Sequence, residues 1–169
     1  MALSLLPVAV LIAGAWRDIA TRTIPDLLPL LLLACGVALR GRAGIAAVAL
    51  SLALAALCFA ALVALHARGW LGGGDVKLLA GTACGLAPAT LLHFLASTAI
   101  AGGVLAALYL LLRRLPAPPH AAASGLLRRI VAVERWRIAR RAPLPYAVAI
   151  AGGGVWTLLL APMLHAHGA

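Results

Sequence analysis

The sequence predicts an all-α integral membrane protein of six transmembrane helices, with both termini outside and an arginine-rich cytoplasmic loop that contains an interfacial helix. Three observations carry that expectation. Of 169 residues, 64% are hydrophobic and only 11% charged, against roughly 25% charged in soluble domains, and mean hydropathy is +1.08. Apolar runs recur at lengths approaching the roughly 20 residues that span about 30 Å of hydrocarbon. Basic residues then collect in alternate loops, as orientation in a membrane requires.

Residues 2–16, "MALSLLPVAVLIAGAW" less its Met, form the first run. Ala13, Gly14 and Ala15 resemble a signal cleavage site, but no basic segment precedes the run and further runs follow, so it reads as a retained first span. Residues 27–39 form a short second span of about 20 Å, and residues 43–65 a full-length third. The uncharged stretch 78–112 would be about 52 Å long as one helix, too long for one crossing. "CGLAPAT", with Gly85 and Pro88, is the expected break, and 146–164 is the sixth span. The whole of 1–169 reads as one polytopic domain.

Charge placement fixes the expected orientation. With the N-terminus outside, the inner loops hold Arg17, Arg22, Arg68, Lys77, Arg113, Arg114, Arg128, Arg129, Arg135, Arg137, Arg140 and Arg141, and the outer loops only Arg40 and Arg42. Twelve against two is a strong positive-inside bias, whereas one span over 78–112 gives at best ten against four. The net charge of +10 therefore points to anionic lipid headgroups as partners, and no basic and aromatic pattern of a nucleic-acid module accompanies it. "SGLLRRIVAVERWRIARRAP", residues 124–143, is too charged to cross and reads as a helix on the inner surface, although Arg137 falls on its apolar side. Trp16, Trp70, Trp136 and Trp156 mostly sit near predicted boundaries.

Other chemistry is sparse. Cys35, Cys58 and Cys84 form no CxxC pair and read as small apolar residues. Ser51, Ser97 and Ser124 lack a nucleophile-elbow motif. The histidines, His66, His93, His120, His165 and His167, show no ligand spacing beyond the terminal "HAH", so neither a metal nor an organic cofactor is expected.

Carboxylates are the exception. Asp18 ends the first span and Asp75 begins the fourth, so the topology places both near one cytoplasmic boundary. Ionisable groups at membrane depth imply function or a partner. One reading pairs Asp18 with Arg22, one turn on, and leaves Asp75 as an acid at a helix N-terminus. In the other, the two carboxylates meet in a partly dry site and share one proton, so that one draws a proton from water while the other hydrogen-bonds a scissile carbonyl. Gly72, Gly73 and Gly74 favour the second, because they let a helix or an extended peptide approach closely. Lys77, two residues beyond Asp75, points elsewhere on a helix and is expected to reach the headgroups.

Three stretches together resemble the prepilin peptidases, membrane aspartic proteases with a GxGD motif. "DIATRTIPD", residues 18–26, resembles the family's first aspartate segment. "GGGDVKLLA", residues 72–80, matches the GxGD segment, and "LPYAVAIAGG", residues 144–153, resembles the Pro-Tyr segment of the last span. The resemblance implies that Asp18 and Asp75 are the catalytic pair, cutting leader peptides from pilin precursors at the cytoplasmic face of the inner membrane. Gly72 and Gly74 would be the motif glycines, and Arg22, Ile24, Pro25, Lys77, Pro145 and Tyr146 match supporting positions.

Two departures stand out. Asp26 replaces a common Asn and adds an acid near the site that could perturb the pair, and Ala147 replaces a glycine. The chain also lacks the two CxxC pairs of members that methylate the new N-terminus, so it resembles the short, peptidase-only form of Flp/Tad-type pili, with pilus assembly components as further partners. The substrate implied is a pilin precursor with a basic leader, a glycine before the cut and an apolar helix after it. Arg128 and Arg129 could meet the acidic residue found early in mature pilins. Two other classes remain: a non-catalytic assembly scaffold, which retention of both aspartates argues against, and a proton-linked transporter, which would show internal repeats.

Overall fold

In the computed structural model, residues 2–114, 126–140 and 143–160 are described, and all their regular structure is helical. Pro88 divides the long apolar stretch where expected. Its ring presets φ for a first helical position and supplies no N–H, so α4 (Gly73–Ala83) ends in a turn at residues 84–87 and α5 (Pro88–Arg113) starts anew. The earlier helices are α1 (Ala2–Thr21), α2 (Leu27–Gly41) and α3 (Ile45–Ala67); α6 (Leu126–Ala139) and α7 (Tyr146–Val155) follow, α7 running on as one π-helical turn, Trp156–Leu160. The first helix is therefore longer than its apolar run, and it holds Asp18 inside its last turn rather than at its end. Residues 161–164, the end of the expected sixth span, and the "HAH" tail lie outside the described residues.

Two helix groups meet along one core. Helix α7 packs against α1 and α5, α4 packs against α2 and α3, and the groups join where α1 meets α2 and α4 meets α7. Leu11, Leu78, Phe94 and Ile150 are fully buried at that junction, and Cys84 belongs to the same cluster. The outward surface is apolar as well: Leu57, Leu92 and Ile100 are each about two-thirds exposed or more, and all four tryptophans lie on the surface. Helices α3 and α5 are long and apolar enough to cross a membrane, and only 17% of each such span is buried. A core helix of a soluble protein would be mostly buried, so these faces fit contact with lipid. Helices α2 and α7 with its π turn are shorter apolar helices, and α4 has 11 residues.

Close approach explains how so short a helix as α4 is held. A Cβ on Gly36 of α2 would lie 2.6 Å from the Gly85 backbone N and 2.9 Å from its Cα, and one on Gly81 would lie 2.7 Å from the Pro29 carbonyl oxygen. The turn after α4 is further tied by Ser51, which accepts from Arg40 Nε at 2.8 Å and donates to the Leu86 carbonyl at 3.3 Å. Because the obstacle at Gly36 is backbone, it cannot rotate away. Gly36→Ala should cost about 1–3 kcal/mol, read as a lower unfolding temperature of the detergent-solubilised protein, whereas Gly41→Ala, with nothing within 4 Å, should not lower it.

Candidate active site

The C-terminal end of α1 and the N-terminal ends of α2, α4 and α7 converge, and the two carboxylates come together there. Asp18 (8% exposed) and Asp75 (9% exposed) both line a cavity of about 350 Å³, with Arg22, Ile24, residues 72–74, Pro143 and Leu144. One Asp18 oxygen accepts the Ala147 backbone N–H at 3.4 Å. That N–H belongs to the first turn of α7, where unpaired amide donors and the helix dipole favour negative charge. Ala147 is fully buried, so its methyl group is accommodated beside the site.

Asp75 sits in the first turn of α4, as an N-terminal acid would, but it is not merely a helix signal. Its Oδ1 is buried with no hydrogen-bond partner. An unsatisfied buried carboxylate oxygen in a native site calls for a ligand, a water or a proton. Its Oδ2 lies 2.8 Å from where a Cβ on Gly72 would stand, while a Cβ on Gly74 would meet Ile24 at 3.1 to 3.3 Å. Each motif glycine thus clears space for a different neighbour. None of the three needs a left-handed backbone, since positive φ among the described glycines occurs only at Gly44 and Gly69.

The geometry gives partners to the charged and supporting residues around the pair. The side chain of Arg22 does not pair with that of Asp18: its backbone N–H still bonds the Asp18 carbonyl at 2.9 Å, but its φ of 58° turns the side chain away from the helical i,i+4 direction, and its guanidinium donates to the Pro143 carbonyl at 2.6 Å and to Glu134. Lys77 does not extend alone to the surface but pairs with Asp26 at 2.6 Å. Asp26, 70% exposed in its side chain, does not itself line the cavity. Pro25 lies in the same turn, half-buried and outside the cavity, its carbonyl accepting from Leu28 N at 3.1 Å. Pro145 is fully buried at the start of α7. Tyr146 packs its ring against α5, within 3.0 Å of a Cβ built on Gly102.

The expected surface helix is α6, and its flaw is now explained. Arg137 turns inward, donating to the Ile19 carbonyl at the end of α1 at 2.6 Å and to Glu134 of its own helix at 3.3 Å, on the side that also buries Ile138. Val131, Val133 and Trp136 remain exposed, with Arg140 stacked 4.1 Å from the Trp136 ring centroid. The side chains of Arg128 and Arg129 lie outside the described residues. Sequence reasoning passed over Glu134, which also accepts a hydrogen bond from Tyr109 of α5. The available signal was a single acid in a basic helix, three residues before the one arginine on the apolar side.

A family model described as the type IV leader peptidase family matches residues 5–107, a span that contains both carboxylates and the glycine run. Comparison with curated proteins and with solved structures found no match. The chain belongs to the type IV leader peptidase family, whose members are membrane-bound and act on pilin precursors.

Proposed function

We propose that this leader peptidase is an aspartic endopeptidase in which Asp18 and Asp75 act as one pair, cutting the leader from a pilin precursor at the cytoplasmic face of the inner membrane. The observation that carries the reading is the convergence of two buried carboxylates, from helices far apart in sequence, on one cavity. Two carboxylates so placed hold one proton between them. The ionised member draws a proton from water as that water attacks the scissile carbonyl, and the shared proton hydrogen-bonds the carbonyl oxygen as it gains charge. Proton transfer to the leaving amine completes cleavage. The unpartnered Asp75 Oδ1 is the oxygen left for water or substrate.

Charge supports the orientation. Arg17, Arg22, Arg68, Lys77 and Arg113 stand at the helix ends that share the cavity's side, and Arg40 and Arg42 at the other. Under the positive-inside rule the cavity then faces the cytoplasm, with six spans and both termini outside. Exposed Val131, Val133 and Trp136 beside Arg140 suit α6 to an anionic headgroup layer. The absence of any CxxC pair from these 169 residues supports cleavage without methylation, as in the Flp/Tad-type form.

The test is purified protein with a pilin precursor, the product read by mass. A single cut after the leader glycine, with no added methyl group and undiminished by a metal chelator, is the expected result. Loss of cleavage on chelation, reversed by metal, would overturn the paired-carboxylate chemistry.

A further inference from the structure

Asp18 and Arg22 are four residues apart and line the same cavity, yet the guanidinium is committed elsewhere. Its partners are Glu134 and the Pro143 carbonyl, and its Nε is buried with no partner. A guanidinium that close to a buried carboxylate is a hazard for proton-sharing chemistry. Paired to Asp18, it would hold that carboxylate ionised and occupy the oxygens that must reach water.

Glu134 is built to prevent this. Tyr109 of α5 and Arg137 of α6 both donate to it, and Arg137 in turn holds the Ile19 carbonyl next to Asp18. The competing carboxylate is therefore fixed to the very helix end that carries the site. The charge of Arg22 still acts on Asp18 across the cavity, as do the Ala147 N–H, Glu134 and Arg137, with Asp75 on the same cavity, but no direct Arg22–Asp18 ion pair occupies the carboxylate oxygens. We propose that Glu134 is a positioning residue that holds the Arg22 guanidinium away from Asp18, leaving Asp18 free to share a proton with Asp75. The proposal rests on the aspartate-pair reading and adds to it a residue from the loop helix.

A double-mutant cycle on the full chain in detergent, with precursor cleavage followed to kcat and KM, tests it. Glu134→Gln should lower kcat about tenfold with KM within about twofold, and in an Arg22→Gln background the same change should cost no more than about twofold. Tyr109→Phe, which loosens the α5 contact without freeing Arg22, should stay within about twofold of wild type. If Glu134→Gln does not accumulate, Glu134→Asp replaces it, with a smaller loss that also vanishes once Arg22 is gone. An equal loss in both backgrounds, or a Tyr109→Phe loss as large as that of Glu134→Gln, would overturn the proposal in favour of simple docking of α6. Asp18→Asn and Asp75→Asn run in the same assay separate the two ideas. If they are inactive while the cycle is additive, only the role of Glu134 fails; if either is active, the pair itself fails.

Discussion

Asp18→Asn and Asp75→Asn should each reduce cleavage of a co-expressed pilin precursor by about 10³-fold or more, seen as loss of the gel shift at unchanged protein level. Asn keeps the size of the side chain and removes its proton chemistry. Because the carboxylates act as a unit, the double variant should be no worse than either single one. Stability should move differently. Asp75 carries a buried oxygen without a partner, and a neutral amide is cheaper to bury than a carboxylate, so Asp75→Asn should not lower the unfolding temperature. Asp26→Asn is the control: it is mostly exposed and its partner Lys77 is half-exposed, and exposed pairs contribute about 0–1 kcal/mol, so cleavage should persist at the wild-type rate. Normal cutting by either of the first two variants would end the paired mechanism and reopen the scaffold and transporter readings.

The helical membrane class and the approach of Asp18 and Asp75 to one cavity were legible because each is written in a one-dimensional signal. A helix break needs only Pro88 after an over-long apolar stretch, and the α4–α5 turn falls there. Asp18 and Asp75 are conspicuous because acids are so rare in this chain. What could not be read was which charge meets which. Helical spacing allowed an Asp18–Arg22 pair as one of two readings, but side-chain spacing holds only inside a helix, and Arg22 lies past the end of α1 with a left-handed backbone. Lys77 and Asp26, 51 residues apart, meet because α2 and α4 pack side by side, which no local pattern encodes. Glu134 was missed for the same reason: its partners come from the α1–α2 turn, α5 and its own helix. The imperfect amphipathicity at Arg137 was the visible trace of that cluster, since a basic residue on an apolar face needs an inward acceptor.

Gly72→Ala should lower cleavage about 10- to 100-fold while leaving the unfolding temperature nearly unchanged, and its two neighbours should behave otherwise. The added Cβ would stand 2.8 Å from Asp75 Oδ2, well inside van der Waals contact. What gives way is the end of a side chain, not backbone, so the carboxylate rotates and the fold survives. A carboxylate displaced by about 1 Å no longer meets the position that water and the scissile carbonyl require. Gly74→Ala meets Ile24, starting from its Cβ at 3.1 Å. That branched atom is anchored to the backbone, so the change should cost stability first, about 1 kcal/mol, and activity only as the α1–α2 turn shifts. Gly73→Ala meets His66 Cε1 at 3.5 Å, ordinary contact, and should cleave within about twofold of wild type, with a few tenths of a kcal/mol gained from helix propensity. Initial cleavage rates and unfolding temperatures of the three variants, measured side by side, decide what the glycine run is for. The order Gly72, Gly74, Gly73 in activity loss means it makes room for a carboxylate and a turn. Equal loss at all three would mean that it lets the backbone itself approach the extended substrate, since only then would every side chain be equally unwelcome.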